Sequence, residues 1–275
     1  MERKPLQIDI QSEIGQLNAV LLHTPGAEVE NMTPKMAQRA LYSDILNLSI
    51  AQEEYKQLSG VLSKIANVYT VTDLLVKVLE NPVEREELVK KICETENVME
   101  YYETLMEMNS VRLAKALIEG LPARINTLTS FLNEDYYALF PLYNFYFTRD
   151  AAVTIGNHAL ICKMANKVRM RESLIMQAIY KGSGEFACGI IDAYDHSPLN
   201  PNLFMEGGDI LIAREDVLLI GNGIRTSSQG IDFLASRLSA IAPQGRRHII
   251  VQQLPHTPES FIHLDMVFTM LDRNK

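Results

Sequence analysis

Three cysteines in 275 residues are too few for a disulfide framework. Cys93, Cys162 and Cys188 form no CxxC pair and have no metal-ligand spacing, which argues against a structural zinc site. A reducing cytoplasm is the compartment this usage implies. Basic charge is lacking too. The formal net charge is -8, whereas general nucleic-acid binding needs a basic surface to displace phosphate counterions. A cationic small substrate suits that balance better, although net charge mainly reports solubility. No apolar run approaches membrane-spanning length. The polar start Met1-Glu2-Arg3-Lys4-Pro5 leads into alternation instead of the apolar segment of a secretory signal. What is present, 47% hydrophobic and 22% charged residues, matches an ordinary globular chain of one large domain or two smaller ones.

Leu17-Asn18-Ala19-Val20-Leu21-Leu22-His23 reads as a strand feeding the breaker Thr24-Pro25-Gly26. Apolar positions at helical spacing follow from about 35 to 66 (Leu41, Ile45, Leu48, Leu58, Val61, Leu62, Ile65), and Val68-Tyr69-Thr70-Val71 gives a second strand. From about 73 to 138 the chain turns to charged helices with almost no glycine. The clearest runs from Val111 to Glu119, with Ser110 as its expected N-cap, Gly120 as its stop and Pro122 just beyond. Short strands return at 151–155, 159–162, 209–212, 217–220 and 248–251. The first two of these form an expected hairpin around Gly156-Asn157, and helical stretches lie at about 168–181 and 227–240. Strand pairs each followed by a helix suggest the blades of a propeller-like or pseudo-symmetric α/β fold, although no strict sequence repeat is visible.

Four polar clusters stand at the ends of these strands: Asn144 to Asp150, Phe204 to Asp209, Gly221 to Ser227, and His263 to Phe268. Each alone also fits a bland role, a turn, a solvated loop or a satisfied core histidine. Together they hint at a common centre, because charged side chains beside apolar strands are costly to bury unpaired. In His263-Leu264-Asp265, residues i and i+2 of a strand would face one side and reach one cavity. Arg149, next to Asp150, would face the other way and is expected in a structural ion pair, while Glu172 could pair with Arg169 across one helical turn.

Five motifs in this order resemble those of arginine deiminase, of the guanidino-group-modifying enzymes: Glu30-Asn31-Met32-Thr33-Pro34, Phe147-Thr148-Arg149-Asp150, Met205-Glu206-Gly207-Gly208-Asp209, Gly221-Asn222-Gly223-Ile224-Arg225-Thr226-Ser227 and His263-Leu264-Asp265-Met266-Val267-Phe268-Thr269. The resemblance covers essentially the whole chain. It implies a five-fold pseudo-symmetric α/β propeller over 1–72 and 139–275 with a helical insert over 73–138, and hydrolysis of L-arginine to L-citrulline and ammonia. By the same resemblance, Asp150 and Asp265 grip the guanidinium, and His263 acts as acid and base oriented by Glu206. Arg169 and Arg225 meet the substrate carboxylate with Asn144 nearby, and Phe147 walls the alkyl stem. No metal or organic cofactor is implied, and the partner is the small molecule alone, with no nucleic acid and no membrane. A homo-oligomer stays open, including a scaffold with the helical insert as interface.

The family's nucleophilic cysteine lies well beyond the His-x-Asp motif, whereas this sequence stops at Lys275, soon after it. None of Cys93, Cys162 or Cys188 sits beside a motif acid or base, so each is expected to be a buried small hydrophobe. The chain is therefore expected to be a fragment, a truncation or a degenerate copy. It should lack its last blade, leave strand edges unpaired and be inactive alone. Ser43 in Tyr42-Ser43-Asp44-Ile45, and Glu54-Tyr55, also depart from the family pattern and leave the loop after the first strand in doubt. The alternatives are an amidinotransferase, a dihydrolase, and a non-catalytic arginine-binding or regulatory module.

Overall fold

A computed structural model describes residues 4–30, 32, 45–132, 136–195, 200–242 and 247–272. Asn31, Thr33 and Pro34 of the first motif, positions 35–44 of the first helical stretch and Tyr42-Ser43-Asp44 lie outside them. The chain packs as two units, one of residues 1–16 with 149–275 and one of residues 17–148. The helical run expected as an insert, 73–138, falls inside the second unit with the strands that precede it.

In the second unit, strands Ala19–Leu22 and Asn67–Thr70 pair in parallel, and the helix Leu48–Leu62 lies between them in the chain, as the alternation and spacing predict. Asn47 caps that helix by accepting from the Ile50 amide, yet no residue of the helix is buried; Ile50, Leu58 and Val61 stay exposed. Two further helices, Val71–Glu80 and Pro82–Glu96, meet at Asn81. The Asn81 side chain caps the second of them, where Pro82 supplies a pre-set φ. Val71, Leu74, Leu75, Val78 and Leu79 form the buried stripe of the first and pack toward the helix Ser110–Glu119, which buries Leu113, Ala114 and Leu117. The N-cap of that last helix is Asn109, which accepts from the Arg112 amide. Ser110 lies one residue inside and donates instead to the Leu79 carbonyl, because asparagine at the preceding position reaches the free amide first. Gly120 stops the helix at φ 97°, a left-handed conformation that suits glycine, as expected.

The first unit repeats one plan twice. Ala152–Ile155 and His158–Ile161 form an antiparallel hairpin through Gly156, whose φ is 55°. The helix Met170–Gly182 follows, and then Gly189–Asp192 lies parallel to the second hairpin strand. Ile210–Arg214 and Val217–Asn222 likewise pair antiparallel, the helix Ser228–Ile241 follows with Ser227 as its cap, and His248–Gln253 returns parallel. The strand Gly189–Asp192 carries little sequence signal, since Ile190-Ile191 is too short a run to stand out. Arg171 through Ile179 are all buried, so the helix Met170–Gly182 is enclosed on every side along that stretch. The architecture is α/β, with hairpins, helices and returning parallel strands. No described helix is long and apolar enough to cross a membrane.

Candidate active site

The first repeat opens on Asp150, held at the end of the single helical turn Thr148–Ala151 just before its hairpin. Its neighbour Arg149 faces elsewhere, in the structural role expected of it. The guanidinium forks onto Glu13 at 2.7 and 3.2 Å and donates to the carbonyls of Gly207 at 3.2 Å and Ile210 at 2.7 Å. One arginine thereby ties the turn before the second repeat to the start of the first.

That turn is Glu206-Gly207-Gly208-Asp209, closed as a 3-10 turn at Gly207–Asp209. Its two glycines are required by close approach. A Cβ on Gly207 would collide with the Arg149 carbonyl, and one on Gly208 would lie 2.8 Å from the His263 ring and 2.9 Å from Asp150 Oδ1. The glycine pair lets an imidazole lie directly on the main chain.

Glu206 is fully buried and contacted from several sides. Its Oε2 lies 2.9 Å from His263 Nε2, its Oε1 accepts the Ala165 amide at 3.1 Å, and Arg169 and Arg225 stand 3.5 and 3.6 Å away. Burial alone would raise its pKa. The His263 hydrogen bond and the two arginines outweigh that and hold the carboxyl below its ordinary value. Burial likewise pulls His263 down, yet the hydrogen bond to Glu206 and the charges of Asp150, Glu206 and Asp209 win, and the imidazole titrates above its ordinary range. Its Nδ1 is 3.7 Å from Asp150 Oδ1.

Arg169 lies in the same cluster, just before the helix Met170–Gly182. Its guanidinium bonds Asp150 Oδ2 at 2.8 Å and Glu172 Oε2 at 2.8 Å, so the helical-turn pairing with Glu172 is present. These partners raise its pKa despite the opposing effect of burial. Burial in turn raises Glu172, with Asp150 and Glu206 adding and Arg169 opposing. Arg225 approaches Glu206 from the second repeat, and each arginine lies shortly before its repeat's helix.

The expectation that His263 and Asp265 share one side of a strand is not met. Leu264–Met266 forms a 3-10 turn, so alternation does not apply; His263 is buried and Asp265 is exposed. Partial desolvation still raises the Asp265 carboxyl, with Asp150 and Glu13 adding and His263 and Arg149 opposing, so Asp265 stays electrostatically linked to the cluster. Asn144 and Phe147 belong to the second packing unit, where Asn144 is half-buried and Phe147 is exposed with its ring 4.3 Å from Tyr146.

Asp209 and Thr226 stand within two of the motifs but carry no role there, although the spacing Glu206-x-x-Asp209 could have suggested a second acid on the turn. Asp209 is fully buried and its Oδ1 accepts the Leu264 amide at 2.9 Å, while Thr226 Oγ1 accepts the Glu206 amide at 3.2 Å. Burial pushes the Asp209 carboxyl up to about 6, against the lowering influence of His263, Thr226 and the Leu264 amide. One donor atom each from Asp150, Glu206 and His263 lie within 4.8 Å of one another, a set that could hold a metal ion. Arg169 and His263 already engage those carboxylates, so a metal cation would compete with them.

The family model described as "Arginine deiminase" matches residues 38–275. The chain is 34% identical over 279 residues to the arginine deiminase of Listeria innocua, with 96% of this chain and 67% of that protein covered. It is 34% identical over 284 residues to that of Treponema denticola, with 98% and 68% covered, and 33% identical over 291 residues to arginine deiminase 1 of Staphylococcus epidermidis, with 100% and 69% covered. The chain thus spans about two thirds of the length of these relatives. Among solved structures it is similar to DDAH from Pseudomonas aeruginosa in complex with citrulline (TM-score 0.47, 13% identity, 88% of this chain and 62% of that one). It is also similar to the N-terminal domain of the cyanobacterial arginine dihydrolase ArgZ with bound product (TM-score 0.49, 16% identity, 90% and 61%).

Proposed function

The chain belongs to the arginine deiminase family, and from that premise we propose that it serves the hydrolysis of L-arginine to L-citrulline and ammonia through a covalent cysteine intermediate. The observation that carries this reading is the buried Glu206–His263 pair beside Asp150. A guanidinium is planar, permanently charged and rich in N–H donors, so carboxylates at its edges hold it by charge-assisted hydrogen bonds. Asp150 and Asp265 take that role. His263 keeps a proton to give to the departing ammonia, and Glu206 holds the ring and favours its charged form. Arg169 and Arg225 receive the substrate carboxylate. For that, Arg169 exchanges part of its present hold on Asp150 and Glu172 for the ligand. No metal or organic cofactor enters the scheme.

The attacking thiolate is not assigned to Cys93, Cys162 or Cys188. Burial raises all three thiols: Cys93 to about 11, Cys188 above its ordinary value, and Cys162 far above it with Glu206 and Asp150 adding. That observation favours a second reading, in which these 275 residues bind arginine without turning it over. The five-fold pseudo-symmetric propeller belongs to the same proposal, supported by the repeated hairpin, helix and returning strand. So does the division into a catalytic domain over 1–72 and 139–275 and a helical insert over 73–138. A cytoplasmic setting is supported by the three free cysteines.

Calorimetry with L-arginine and a citrulline assay on the same preparation test both readings. Saturable binding that is lost in Asp150→Ala and weakened in the exposed-site variant Asp265→Asn supports the grip. Citrulline formation then selects the first reading, binding without it selects the second, and no binding refutes both.

A further inference from the structure

We propose that Asp209 is a positioning residue for His263, holding the histidine's main chain from the turn on which Glu206 holds its ring and setting a negative charge beside that ring. The proposal deepens the reading of His263 as the acid–base group and rests on it. Glu206 and Asp209 are three residues apart, and the turn between them closes by an Asp209 amide to Glu206 carbonyl bond of 3.1 Å. Glu206 Oε2 meets His263 Nε2 at 2.9 Å, and Asp209 Oδ1 accepts at 2.9 Å from Leu264 N, the amide directly after His263. The ring lies over Gly208 between these two contacts, close enough that a Cβ there would strike it. Imidazole and following peptide are therefore gripped by one four-residue turn.

The choice of a carboxylate is what points beyond packing. Asp209 is wholly enclosed, and its Oδ2 has no hydrogen-bond partner of ordinary geometry among the described residues, an arrangement that is costly for a charged group. An asparagine would accept the Leu264 amide equally well at lower cost. What only the acid supplies is negative charge beside His263, where it joins Asp150 and Glu206 in favouring the imidazolium. Thr226 completes the arrangement. Its Oγ1 accepts the Glu206 amide, and its side chain favours the ionised form of Asp209, so it supports both acids of the turn. Gly221 leaves room for the carboxylate, since a Cβ there would collide with Asp209 Oδ1.

The test follows the His263 ring signals by NMR across pH in the whole chain, assigned by their loss in His263→Gln. Asp209→Asn keeps the Leu264 hydrogen bond and removes the charge, so the His263 titration midpoint shifts downward from its wild-type position. Thr226→Val keeps the carboxylate but weakens its ionisation, and shifts the midpoint the same way by less. If Asp209→Asn does not fold, Thr226→Val decides. A midpoint unmoved in the folded variants, whatever happens to their thermal stability, overturns the proposal and leaves Asp209 a packing residue. Arginine binding by the wild type is measured separately. A shifted midpoint without arginine binding refutes the arginine reading and not the placement of Asp209, and binding with an unshifted midpoint does the reverse.

Discussion

His263 Nε2 lies 2.9 Å from Glu206 Oε2, and both residues are buried in the same unit. Their pKa values are driven apart, Glu206 below its ordinary 4.5 and His263 above 6.5. The depressed acid stabilises the fold above pH 4.5, and that contribution is lost as pH falls through its folded value. The elevated base stabilises the fold below pH 6.5, and its contribution is lost as pH rises through its own folded value. The pair's contribution is therefore greatest between the two ordinary values, 4.5 and 6.5. Urea unfolding of the wild type and Glu206→Gln at several pH values measures it. The gap in stability should be widest near pH 5–6 and narrow on both sides, less on the alkaline side, where Arg169 and Arg225 still face the carboxylate, and a gap independent of pH would contradict the ion pair.

Arg169 is the cation on which three buried acids depend, with Asp150 and Glu172 at 2.8 Å and Glu206 at 3.5 Å. Removing it in Arg169→Ala leaves uncompensated buried charge and should cost about 3–5 kcal/mol in chemical denaturation. Arg169→Lys should recover only part, because an ammonium cannot reproduce the planar fork. A loss under about 1 kcal/mol for the alanine variant would mean that water or a rearranged partner reaches the cluster.

Gly208→Ala places a Cβ 2.8 Å from the His263 ring and 2.9 Å from Asp150 Oδ1. We expect a stability loss of about 1–3 kcal/mol from overpacking, together with movement of the His263 ring signals. A variant with unchanged stability and unchanged His263 spectrum would show that the turn yields freely.

The cysteines offer a chemical check on burial. Cys162 is enclosed and its thiol is raised far above the ordinary value, whereas Cys188 is half-buried and less affected. Under native conditions near pH 8, iodoacetamide should modify Cys188 before Cys162, as read by peptide mass spectrometry, and Cys162 should react only on unfolding. Modification of native Cys162 at the rate of a free thiol would reverse the assignment.

Much of the first unit could be read in advance because its signals are local. The hairpin around Gly156 and the helix Ser228–Ile241, expected at about 227–240, each depend on residues within a few positions of one another. The same holds for Arg169 and Glu172, one helical turn apart. Errors arose where neighbours compete or where the chain departs from a regular period. Asn109 took the cap assigned to Ser110, and a 3-10 turn replaced the strand that would have aligned His263 with Asp265.

By itself, the sequence determined the inventory of acids and bases, most of the order of strands and helices, and the motifs that carry the family. Tertiary structure alone decided which of the groups distant in sequence meet. Glu206 and His263 are 57 positions apart, and Asp209 and Leu264 are 55 apart. No periodicity links residues at such distances. Whether an acid is paired, orphaned or exposed depends on the closure of loops against each other, and the same closure sets its desolvation and so its proton affinity.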